Sequence, residues 1–176
     1  MRRFHWGNAG FFGKELQFND DSLALDCARA LEAGGAAEIV VHARTKAQGY
    51  KPPAYWQRVA DVREAVRVPV AVNGEIWSVE DAQDAVAQSG CSTLMLGRGI
   101  VARPALARAV LTAMGTEAGS LAQPGDDWTW EELGPLMHDF WNIVTTHLEQ
   151  RQKAGRLKQW LNFLRHHYPQ AQVALD

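Results

Sequence analysis

Three short apolar runs alternate with stretches of helical period, and this spacing limits the fold more than any other feature of the chain. Glu38-Ile39-Val40-Val41-His42 and Val68-Pro69-Val70-Ala71-Val72 are rich in β-branched residues and apolar on both faces, as in a parallel strand covered on both sides. Thr93-Leu94-Met95-Leu96 reads as a third strand. Before the first, Leu23, Cys27, Ala30 and Leu31 share one helical face, and Gly34-Gly35 closes that helix. Tyr55 to Val66 is helical by its period. Ser78 followed by Asp81 resembles a capping box, opening a helix that ends near Gly90, and a further helix runs from Pro104 to about Met114. Connections this short admit only right-handed parallel crossovers, so the pattern predicts an α/β fold of the barrel or doubly wound kind.

The two ends of the chain do not follow this pattern. Residues 1–20 show neither period 3.6 nor period 2 and read as an irregular arm. Residues 116–127, rich in Gly, Ser, Ala and Pro, read as a linker between an α/β part, 21–115, and a helical part, 128–176. In the helical part Thr129 and Glu132 form a second capping box, with a long helix predicted to about Gln152 and bent at Gly134-Pro135. Gly155 is expected to separate it from a last helix whose Leu157, Trp160, Leu161 and Leu164 form a buried stripe. Trp130, Trp141 and Trp160 fall at helical spacing and read as core rather than as base-stacking platforms.

Charge and cysteine usage narrow the function. With 18 Lys+Arg against 20 Asp+Glu, any affinity for nucleic acid must come from a local basic patch. Cys27 and Cys91 lie far apart, without a neighbouring ligand at metal spacing, which argues against a disulfide framework or a zinc site, and no metal ligand is assigned. No apolar run is long enough to span a membrane and no signal peptide is evident, so a cytoplasmic protein is expected.

The candidate chemistry lies where the strands end. His42, Asn73-Gly74-Glu75 and Gly97-Arg98-Gly99 each stand at the C-terminal end of a predicted strand. In a (β/α)₈ barrel the loops after the last two strands commonly bind a phosphate, through backbone N–H groups exposed by glycine and an adjacent cation. A glycine after a strand is usually only a turn, and a strand-end histidine usually bonds to backbone, so the joint pattern carries the reading.

At these motifs the sequence resembles a known family. Val40-Val41-His42-Ala43-Arg44-Thr45-Lys46 with Gly49-Tyr50, then Pro69 to Ile76, then Gly90 to Gly99, are similar to the last three strand motifs of tRNA-dihydrouridine synthases. Arg156-Leu157-Lys158-Gln159-Trp160-Leu161 with Leu164-Arg165 resembles the helical domain of the bacterial C subgroup, which acts on uridine 16; Glu75, where many relatives carry Asp, points the same way. The resemblance implies the C-terminal part, about three strands, of a (β/α)₈ TIM barrel followed by a small all-helical domain. It implies FMN as cofactor, NADPH as reductant and tRNA as partner. By that likeness Asn73, Gly74, Glu75, Gly97 and Arg98 hold the FMN phosphate and ribityl chain, with His42 close to the flavin. Arg156 and Lys158, and with them Phe163, Arg165 and Tyr50, are expected to contact RNA.

The departures from the family matter as much. Its proton donor is a cysteine in an Asn-Cys-Gly-Cys-Pro-like loop after the fourth strand, and no such loop occurs here, nor does the flavin-contacting lysine expected before the first helix. Cys27 and Cys91 read as small buried hydrophobes, so no catalytic residue is assigned. The expectation is a truncated chain, inactive alone. Three strands cannot close a barrel, and open edges predict self-association or docking of a partner half.

Residues 151–168 carry Arg151, Lys153, Arg156, Lys158 and Arg165 with no acidic side chain. Lys158 and Arg165 are seven apart on one side of a helix, as are Arg156 and Phe163, and a cation beside an exposed aromatic suits a phosphate and an unstacked base. The competing reading is that these cations complement helix C-termini and stay solvated. A non-catalytic RNA-binding remnant and an unrelated phosphate-binding barrel enzyme are the alternatives to a synthase.

Overall fold

A computed structural model describes residues 23–45, 51–115 and 127–176. The N-terminal arm, Tyr50 and linker positions 116–126 lie outside the described residues. The chain divides into two compact units: residues up to Gly74 with Ala85–Met95, and Glu75–Asp84 with Leu96–Asp176.

The first unit is a parallel sheet with its helices. The strands β1 (Ile39–His42), β2 (Val70–Asn73) and β3 (Thr93–Met95) pair in that order, all parallel. Every residue of β2 is buried, the outcome expected of a β-branched run with cover on both faces. β3 differs: Thr93 and Met95 are exposed, so the third strand, last in the sheet among the described residues, is short and not a second buried run. Helix α1 (Ala24–Ala33) buries Ala28 completely, while Leu23, counted on the inward face from the sequence, sits exposed ahead of the first turn. Near the end of α1, Glu32 Oε1 accepts the backbone N–H of Arg67 (2.6 Å) and of Val68 (3.1 Å), which fixes the entry to β2. Helix α2 (Trp56–Ala65) packs Trp56, Val59 and Val62 inward, a spacing of three that keeps one stripe apolar.

Helix α3 (Val79–Ser89) starts in the second unit and ends in the first. Its capping box forms as read from the sequence: Asp81 N–H donates to Ser78 Oγ (3.0 Å) and Ser78 N–H to Asp81 Oδ2 (2.9 Å). The helix stops at Gly90, which takes a positive φ of 65°.

The second unit is otherwise helical. Gly97-Arg98-Gly99, expected as a loop, opens a short helix α4 (Arg98–Ala102), followed by α5 (Leu106–Ala113). The Thr129–Glu132 capping box forms, with bonds of 2.7 and 3.3 Å, ahead of α6 (Leu133–His147). The predicted long helix is corrected in two places. Gly134-Pro135 lie in the first turn of α6, where proline loses no bond, so they begin the helix rather than bend it. The break falls at Leu148 and Glu149, both extended, and Gly155 lies inside α7 (Gln150–Leu164). A last helix, α8 (Pro169–Val173), has proline in its first turn.

Leu133, Leu161, Leu164, Tyr168 and Ala171 form the core of this unit, with Trp130, Leu157 and Trp160 packed against it. The stripe read from α7 is therefore the buried one. Asp127, just ahead of the helical part, accepts a two-pronged contact from Arg103 (2.6 and 2.8 Å) and faces His167 Nε2 at 3.2 Å. Trp160 Nε1 donates to the Val101 carbonyl at 3.1 Å, seating α7 on α4.

Candidate functional site

In the first unit the parallel register brings two of the expected residues side by side: His42 is the partner of Asn73, and Asn73 of Met95 on the next strand. Both polar residues end their strands. Asn73 is buried, and its side-chain amide donates to the Met95 carbonyl at 2.8 Å, while its own carbonyl accepts the Ala43 N–H at 2.8 Å. This residue thus ties three strand ends together before any ligand is considered. Gly74 has a φ of 117°, and a Cβ there would stand 3.4 Å from both Ala43 N and His42 Cε1. Only glycine fits that conformation without strain. Its carbonyl accepts the indole N–H of Trp56 at 2.8 Å, a clamp that the sequence reading missed.

In the second unit the expected phosphate partner is held in a cluster of three side chains. Glu75 Oε1 meets Arg98 Nη2 at 2.7 Å, Glu75 Oε2 accepts the indole N–H of Trp77 at 3.2 Å, and the Arg98 guanidinium lies over the Trp77 ring, 5.2 Å from its centroid. Glu75 adopts a φ of 52°, which costs a side-chain-bearing residue about 1 kcal/mol. Left-handed residues of this kind persist where surrounding contacts over-determine them. Here the two oxygens of the Glu75 carboxylate supply such contacts. Gly97 is exposed and Arg98 half-buried, so a ligand has access to both. Gly99 is buried against the Ile76 carbonyl, which gives it a packing role rather than a place in an anion cradle.

Trp77 escaped the sequence reading because a tryptophan two positions beyond a strand-end glutamate reads as packing. The signal was its neighbour: its backbone N–H donates to Asp81, the residue of the α3 capping box, at 2.9 Å.

The expected RNA-contacting residues described here lie on or beside α7. Arg156, Lys158 and Arg165 are exposed, as expected, whereas Phe163 is half-buried and offers less of its ring than a stacking platform would. Arg156 donates to Gln159 (3.0 Å) and Arg165 to Gln172 (3.1 Å). An open cleft of about 600 Å³ has Arg156, Lys158, Gln159 and Asn162 among its walls.

The cysteines stand away from this chemistry. Cys91 is 2% exposed and precedes β3, at the end of the strands opposite to His42 and Asn73. Burial pushes its thiol up, against a smaller lowering by the Ser89 hydrogen bond and by Arg63. Cys27 is half-buried within α1. In the folded chain iodoacetamide should modify Cys91 more slowly than in denaturant by about two orders of magnitude, as mass spectrometry of its peptide would show. Equal rates would mean that the Cys91 environment is open. Among the described residues there is no cluster of metal-ligating side chains, and no helix long and apolar enough to cross a membrane.

The parallel strands, with glycine turns and polar side chains at their C-terminal ends, define an α/β protein with its candidate site at the strand ends, the arrangement of (β/α) barrels among others. Residues 15–172 match the family model for dihydrouridine synthase (Dus), and the chain belongs to that family. It is 51% identical over 166 residues to a tRNA-dihydrouridine(16) synthase of Aquipseudomonas alcaligenes, covering 94% of this chain and 48% of that protein. Identity is 49% to the protein of that name from Pseudomonas syringae pv. tomato, over 92% of this chain and 49% of the relative. For the one from Ralstonia nicotianae the figures are 41%, 89% and 46%. The chain spans about half the length of these curated relatives, and its sheet is accordingly part of the family's barrel. An unrelated phosphate-binding barrel is thereby set aside.

Proposed function

We propose that this chain supplies the FMN-phosphate end and the tRNA-contacting helices of a synthase that reduces uridine 16 of tRNA to dihydrouridine. The observation that carries this reading is the restrained Arg98 guanidinium directly after exposed Gly97, in a chain 51% identical to a tRNA-dihydrouridine(16) synthase. In this reading residues 21–115 are the barrel part, 116–127 the linker and 128–176 the tRNA-binding domain.

The residues fit the group. A guanidinium carries five N–H donors, and the bond to Glu75 is made through Nη2, so that pairing does not by itself exclude a second oxyanion. Gly97 and Arg98 would hold the phosphate; Glu75, Asn73 and Gly74 would hold the ribityl chain, with His42 toward the flavin. When bound and reduced by NADPH, FMN supplies a hydride to the uracil ring. On the RNA side, Arg156, Lys158 and Arg165 would meet phosphates, with Phe163 and Tyr50 at bases. Self-association, or a partner half at the open edges of β1 and β3, belongs to the same reading.

A second reading, RNA binding without catalysis, is favoured by the position of Cys91 at the wrong end of the strands and of Cys27 within a helix. It shares the RNA contacts and omits the reduction. Titration of the purified chain with FMN, followed by flavin fluorescence, separates the two. Binding weakened by Arg98→Ala by about tenfold to a hundredfold is expected for the loss of a charge-assisted contact. Absence of flavin binding by the folded chain would leave only the second reading.

A further inference from the structure

The open cleft on α7 has walls that phosphate contacts alone do not account for. Arg156 and Lys158 supply its charge, but it also presents three carboxamides, those of Gln152, Gln159 and Asn162, and among the described residues that line it there is no acidic side chain. We infer that this cleft is a subsite for one unstacked nucleotide of the RNA: the carboxamides take the edge of its base, and Arg156 and Lys158 the phosphates on either side. The inference rests on the proposed RNA contact of α7 and adds base reading to it.

The helix sets these walls out on one side. At about 100° per residue, Gln152, Gly155, Arg156, Gln159 and Asn162 fall within one arc of α7, opposite to the stripe of Leu157, Leu161 and Leu164 that holds the helix to its core. The helix is thus anchored from behind while the residues of this arc, all exposed, face outward. Leu175, beyond α8, is half-buried and adds an apolar wall. The cleft measures about 600 Å³, within the range of about 300–1,000 Å³ that small-molecule sites occupy. Carboxamides suit a base edge because each offers an acceptor and a pair of donors, which a cation does not. The Gln159 carbonyl oxygen accepts from Arg156 Nη1 at 3.0 Å, which ties the cation to the amide and makes the Gln159 N–H groups the donors it offers.

Gly155 is an independent sign of the same site. It sits inside a helix of 15 residues, where alanine would be favoured, without a left-handed backbone and with no atom within 4 Å of a Cβ placed on it. Neither backbone conformation nor packing calls for glycine there. The missing side chain does keep the cleft open: a longer one at 155 would lean back over the turn that carries Gln152 and occupy the space a base would take.

Gly155→Leu separates the two effects, since it favours the helix while it fills the cleft. The variant should melt at or above the temperature of the parent, yet bind an unmodified tRNA transcript about tenfold more weakly. Asn162→Ala, an exposed change that leaves the fold intact, should lose about threefold with the salt dependence of the parent, the mark of a base contact rather than a phosphate contact. A blunt-ended RNA duplex, whose bases are all stacked, should bind the parent and both variants alike. Unchanged tRNA affinity in both variants, or an equal loss on the duplex, would overturn the inference. The reading beneath it fails differently: an unchanged salt dependence of tRNA binding when Arg156 and Lys158 are both replaced by alanine would show that α7 does not meet phosphates.

Discussion

Replacing Gly99 with alanine is expected to lower the stability of the helical unit by roughly 3 kcal/mol, with a fall of about 10 °C in its melting temperature. A methyl group on Gly99 would collide with the carbonyl oxygen of Ile76 and come within 3.1 Å of Leu106 Cδ2. Leu106 is fully buried, and the Ile76 carbonyl belongs to the backbone, so the side chain most able to yield is confined and the oxygen can move only with the chain. Ile76 directly follows Glu75, and Gly99 directly follows Arg98. Pushing the two segments apart therefore stretches the 2.7 Å contact between Glu75 and Arg98, and FMN affinity should fall along with stability. The same substitution at Gly155 should have the opposite sign. Nothing lies within 4 Å of a Cβ there, and the residue sits in the middle of α7, where alanine is favoured by about 0.5–1 kcal/mol. Thermal unfolding of the two variants beside the parent chain decides the matter. A Gly99→Ala chain that melts with the parent would mean that the approach of Gly99 to Ile76 is not tight.

The contrast between those glycines shows which parts of the molecule are legible in the sequence. Strand positions, both capping boxes and the apolar stripe of α7 rest on periodicity or on a reciprocal pair three residues apart, and such local patterns leave a trace in residue order. The positions of His42 and Asn73 could be read for the same reason: parallel strands align their C-terminal ends once their lengths are known. What could not be read depends on distant atoms. Gly99 looks like half of a phosphate loop until the Ile76 carbonyl is seen against it. Gly155 looks like a helix breaker, yet α7 continues through it because Leu157, Trp160, Leu161 and Leu164 hold the helix to its core, and burial outweighs a propensity cost of about 1 kcal/mol. The break at Leu148 and Glu149 carries neither glycine nor proline and left no mark. The role of Asp127 as a shared partner of Arg103 and His167 likewise joins residues 24 and 40 positions away.

Truncation of Leu164 to alanine should cost roughly 3–5 kcal/mol, because the side chain is fully buried and its loss removes apolar contacts and leaves a cavity. It lies at the end of α7 in a core shared with Leu133 before it and with Tyr168 and Ala171 after it, so the loss falls on α6, α7 and α8 together. The proposed RNA contacts depend on that same core. Arg156 and Lys158 are exposed on α7, and their spacing is meaningful only while the helix is docked. Two kinds of variant should therefore separate. Leu164→Ala is expected to shift the denaturant midpoint strongly and to weaken tRNA binding at temperatures where α7 is released. The pair Arg156→Ala and Lys158→Ala should leave the midpoint within about 0.5 kcal/mol of the parent, yet reduce the salt dependence of tRNA binding by about one for each phosphate contact removed. Electrostatic contact accounts for such a slope, since each neutralised phosphate releases counterions. If the charge-neutral pair binds tRNA with an unchanged slope, the cations of α7 are solvated complements to the helix and the RNA surface lies elsewhere. If Leu164→Ala alone abolishes binding while the pair does not, the docked shape of the helical unit, rather than its charge, is what the RNA recognises.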